Sequence, residues 1–63
     1  MTKSEIMRRI ESKIDTDTSF ARDVEKAIEA ENDYWLAELI GNVIGAVIEI
    51  ASDVWDWITD LFN

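Results

Sequence analysis

A chain of 63 residues without cysteine or histidine has room for one small domain and lacks the usual staples, because neither a disulfide nor a zinc site can form. A formal net charge of −8 and a pI near 4.1 set direct binding to nucleic acid or anionic lipid against electrostatics. A hydrophobic content of 48% is too high for a typical disordered chain, yet a core this small is marginal unless helix packing, self-association or a partner supports it.

The first element is a helix over about residues 3–14. Thr2 and Glu5 have the spacing of a capping box, and Ile6, Met7, Ile10 and Ile14 form a narrow apolar stripe at helical spacing. Glu5 and Arg9 make a favourable i,i+4 pair. The run Asp15-Thr16-Asp17-Thr18-Ser19 ends this helix, because its side chains compete for backbone hydrogen bonds and supply N-caps for the next. A second helix is expected over about 19–30, burying Phe20, Val24, Ala27 and Ile28. Asn32 and Asp33 suit a short turn and a fresh N-cap after it.

The third element is read as one long helix over about 34–61. Leu36, Ile40, Val43, Val47, Ile50, Val54, Trp57 and Leu61 recur at alternating steps of four and three. A parallel series, Ile44, Ile48, Ala51, Trp55, Ile58 and Phe62, widens the apolar arc to nearly half the circumference. Such a helix would be about 43 Å long. Residues 43–50 are rich in β-branched side chains and also fit a strand, but the chain offers no partner strand and the helical phase continues on both sides. The expected fold is all-α: two short N-terminal helices packed on one long amphipathic C-terminal helix, a bundle completed by self-association through the Leu36–Leu61 seam. Under that reading Val47→Asp would unfold or dissociate the protein, because it places an unpaired charge in the seam.

Charge is unevenly spread. Lys3, Arg8, Arg9, Lys13, Arg22 and Lys26 all fall in the first 26 residues, where six carboxylates balance them; residues 27–63 carry eight carboxylates and no cation. Arg8, Arg9 and Lys13 form the one basic cluster, interleaved with Glu5 and Glu11, and are expected to pair with the acidic half. Glu49, Asp53, Asp56 and Asp60 share a helix face, a solvated stripe or a contact for a basic partner surface, and the stripe lacks the turn of a calcium loop. Ala37, Gly41 and Gly45 are spaced by four, as where helix backbones approach closely or where a helix bends. Trp55 and Phe62 join the carboxylates as candidate partner contacts, and Trp35 and Tyr34 bracket the other end.

Catalysis finds no support in this composition, which has no imidazole base, no thiolate, no phosphate loop and no nucleophile elbow. No cofactor is expected. The longest uncharged run, Leu39–Ile48, has ten residues, too few to span a bilayer, and no secretory pattern is visible, so a cytoplasmic location is expected, with secretion without a signal peptide or membrane association as alternatives. The functional expectation is a small acidic, non-enzymatic protein-interaction module, an inhibitor, adaptor or assembly subunit acting through the C-terminal helix, including an acidic mimic that occupies the basic surface of a nucleic-acid-binding protein. Its competitors are a membrane-active or membrane-surface amphipathic peptide and a homo-oligomeric structural bundle.

Overall fold

The side chain of Thr2 opens the first helix in a computed structural model that describes residues 2–62, accepting the Glu5 backbone N–H at 3.2 Å. Four helices follow: α1 (Lys3–Thr16), α2 (Thr18–Glu29), α3 (Asp33–Ile44) and α4 (Ser52–Asp60), with no strand among the described residues.

Each junction has a local cause. Asp17 alone separates α1 from α2, with its own N–H donating to the Lys13 carbonyl at 2.8 Å. Its Oδ1 accepts the Phe20 N–H at 3.1 Å and its Oδ2 accepts Lys13 Nζ at 3.1 Å. The Phe20 N–H, seconded by Lys13, holds the Asp17 carboxyl below its ordinary pKa. At the end of α2, Glu31 takes a left-handed conformation, φ 53°, and Asn32 N–H returns to the Ala27 carbonyl at 2.9 Å. Asn32 then caps α3 by accepting the Trp35 N–H at 3.0 Å.

The expected long C-terminal helix does not form. Gly45 is left-handed, φ 72°, and the Gly41 carbonyl accepts both the Gly45 N–H at 2.8 Å and the Ala46 N–H at 3.1 Å, closing α3 in a Schellman-like turn. Residues 46–51 are irregular, and α4 restarts at Ser52. A continuous helix of about 43 Å would not fit a molecule whose longest extent is 27 Å. The architecture is therefore four helices of similar length rather than two short ones on a long one.

The core draws from every helix: Ile10 of α1, Phe20, Val24 and Ala27 of α2, Leu36 and Ile40 of α3, and Ile58 of α4. On α3 the residues at steps of three and four, Leu36, Ile40 and half-buried Val43, face inward. Half-buried Trp35, Trp55, Trp57 and Phe62 pack around this cluster. Lys13 lies over the Phe20 ring, 5.8 Å from its centroid, and covers the cluster's edge. The acidic half meets the basic one through an exposed ion pair between Lys3 and Asp53, which joins the N-terminal turns of α1 and α4. Exposed pairs of this kind contribute about 0–1 kcal/mol. Arg8 and Arg9 are exposed and take part in no ion pair among the described residues.

The eight residues of the expected seam do not share one face. Leu36 and Ile40 are wholly buried, Val43, Ile50, Val54 and Trp57 are half-buried, Leu61 is 38% exposed, and Val47 is fully exposed at 103%. The expected effect of Val47→Asp therefore reverses. The variant should stay within about 0.5 kcal/mol of the parent. Leu36→Ala should cost about 2–5 kcal/mol, comparable with the whole stability of so small a core. Denaturant titration followed by helix circular dichroism measures both, and a Val47→Asp protein that lost its helicity would restore the continuous seam.

Asp17 contributes to the acid limb. Its folded pKa is depressed, so its contribution is complete above the unfolded value, about pH 4, and disappears as pH falls through the folded pKa. Asp17→Asn keeps an acceptor but loses the charge. Thermal melts of the two proteins should differ at neutral pH and converge in acid, whereas a difference independent of pH would remove the charge from the cap's role.

Candidate functional site

Helix α3 has two unlike faces. Beside and opposite its buried stripe lie Asp33, Tyr34, Ala37, Glu38, Gly41 and Asn42, and the irregular segment after Gly45 runs beside them. Between the two is an open groove of about 870 Å³, within the size range of ligand and peptide sites. Ala37 and Gly41 line it on the α3 side; Val47, Ile48 and Ile50 line it on the other. Tyr34, 86% exposed, stands with them, and the lining carboxylates are Asp33, Glu38 and Glu49. No lysine or arginine lines it.

The small-residue series has a different use here from helix crossing. A Cβ on Gly41 would lie 2.6 Å from the Ala46 carbonyl oxygen, so only glycine lets the chain turn back so closely over α3. Gly45 supplies the left-handed residue of the same turn, and Ala37 lies one turn earlier on the groove side. Together these residues open the groove and hold its far wall.

That far wall has an unusual backbone. Among the described residues, none of the N–H groups of Val47, Ile48, Glu49, Ile50 and Ala51 has a hydrogen-bond partner within the protein. Their exposure alternates along the chain: Val47, Glu49 and Ala51 outward, Ile48 and Ile50 half-buried. A period of two is how an extended strand distributes its side chains.

The expected carboxylate stripe is divided. Glu49 belongs to the groove, while exposed Asp53, Asp56 and Asp60 lie on α4 and Asp53 is engaged by Lys3. No group of three or more carboxylates gathers as a cation site among the described residues. Trp55 lines a second, shallower depression of about 530 Å³ with Ile28, Glu31, Asp33 and Ile50, again without a cation. Phe62 packs against the core beyond α4. Sequence reasoning missed Asp33, Tyr34 and Glu38 as groove residues, although the place of Tyr34 and Glu38 opposite the Leu36–Ile40 stripe was a signal available from helical phase alone. The chain matches no protein-family model, no curated protein and no solved structure.

The sign of one substitution tests this geometry. Were Gly41 an ordinary helical residue, Gly41→Ala would stabilise the chain by about 1 kcal/mol. With the Ala46 carbonyl in the way, the substitution should instead destabilise it, by about 1–3 kcal/mol, as read from denaturant midpoints. A more stable Gly41→Ala protein would rule out the close turn.

Proposed function

We propose that this chain is a small acidic, non-enzymatic protein-interaction module, an inhibitor, adaptor or assembly subunit whose contact surface is the α3–α4 half. One observation carries the reading: the groove along α3 joins exposed apolar side chains, Tyr34 and Val47, to three carboxylates and no cation. Apolar anchors within a charged rim are what protein interfaces are made of. The partner is a protein with a basic surface, and a nucleic-acid-binding protein whose groove the carboxylates occupy is the most specialised version.

Eight carboxylates without a countercharge on residues 27–63 oppose pairing of two such halves, so a different protein suits the surface better than a second copy. The membrane reading depended on one continuous apolar arc. The turn at Gly45 divides that arc, Ile40 and Ile58 are spent on the core, and no helix among the described residues is long and apolar enough to cross a membrane.

All three tryptophans, Trp35, Trp55 and Trp57, are half-buried in the acidic half and report on it directly. Their emission should be blue-shifted in water and unmoved by neutral or anionic vesicles; a blue shift that needs vesicles would transfer the function to lipid. Proteins captured on the immobilised chain should be basic and should elute as salt rises from about 0.1 to 0.5 M. Capture indifferent to salt would remove the electrostatic reading.

A further inference from the structure

Residues 47–51 have the chemistry of a strand that lacks its neighbour. Val47-Ile48-Glu49-Ile50 is β-branched at three of four positions, its side chains alternate between outward and half-buried, and its backbone N–H groups find no partner among the described residues. A run of free N–H donors on a strand-like segment is a template for another chain. The groove along α3 lies against this same segment.

We propose that Val47–Ala51 is a β-augmentation edge, which takes up an extended basic segment of a partner protein into the α3 groove. Main-chain hydrogen bonds to residues 47–51 would hold the segment, and the groove would receive its side chains alternately. Charge selects the occupant. Asp33, Glu38 and Glu49 line the groove and no cation does, so lysine or arginine at every second position of the incoming segment meets carboxylates, while its intervening side chains need only the apolar surface of Ala37, Ile48 and Ile50. A second copy of the same segment would bring its own Glu49 toward Asp33, Glu38 and Glu49. An incoming helix would satisfy its own backbone and leave the free N–H groups of the edge unused. This inference rests on the interaction-module reading and adds the geometry and the class of ligand.

The full chain, titrated with a blocked octapeptide alternating lysine and valine, tests it, with amide NMR shifts as the readout. Shifts should concentrate on residues 47–51 and on the Tyr34–Asn42 face of α3. N-methylating alternate amides along one edge of the peptide should weaken binding about tenfold or more for the edge that pairs and little for the other, because it removes donors without altering charge. The Glu38→Lys/Glu49→Lys protein, whose circular dichroism should match the parent because both side chains are exposed, should lose about tenfold as well. A helix-forming lysine–leucine peptide of equal charge should bind more weakly than the alternating one. If that helical peptide, or both N-methylated peptides, bound as tightly, strand addition would be wrong and the basic-partner module would stand. If no basic peptide bound while salt-sensitive capture of basic proteins persisted, the groove would be wrong and the module again would stand. Sedimentation showing a dimer that protects residues 47–51 would replace the basic segment with a second copy.

Discussion

Ile40 and Ile58 must reach the same core, and a straight helix would hold them about 27 Å apart. Both side chains are wholly buried, one in α3 and one in α4. The left-handed turn at Gly45 is what reconciles them, and much of the remaining structure follows from it. It ends α3 where its inward stripe has met α1 and α2, frees residues 46–51 to run back beside α3, and leaves nine residues of α4 to close the cluster. The groove is the space between the helix and the chain that turns back on it.

The same constraint explains how part of the apolar arc is buried within the chain itself. Helices α1 and α2 span about 21 Å and 18 Å at 1.5 Å per residue, so neither could have shielded a helix of about 43 Å. A continuous helix would leave half its apolar surface in water, and association would then carry the entropic cost of bringing copies together. Folding α4 back buries Ile58 within the same chain, at the expense of an irregular stretch in which the N–H groups of residues 47–51 find no partner among the described residues. The large apolar side chains that remain most exposed, Tyr34 and Val47, both belong to the groove.

Much of the helical order was legible in the residues. Thr2, Asp17 and Asn32 each read as a cap and each accepts a backbone N–H three residues on. The all-helical class followed from periodicity and the absence of a partner for the one strand-like stretch. The division of the long helix was not legible, for a physical reason: the alternation of threes and fours runs through residues 45–51 unbroken, because a six-residue gap between two apolar stripes can preserve helical phase by coincidence. Competing signals lay in the same stretch. Gly45 is the residue a helix end prefers, and residues 47–50 have strand composition. Ala51 offers no side-chain cap, so nothing at the start of α4 announced a new helix. The groove was hidden for the same reason, since it exists only where the chain departs from the helix.

Helix α4 carries little intrinsic order of its own. It has nine residues, no side-chain cap at Ala51, no basic residue in its last turn, and Asp60 set against the negative end of its dipole. Isolated helices shorter than about 12–15 residues are marginal in water. Its order is therefore borrowed chiefly from the core that takes Ile58. Such an element opens as a unit at a free energy below that of global unfolding. Release of α4 would therefore bare the buried cluster on the side that Ile58 closes, while leaving the contacts among α1, α2 and α3 in place.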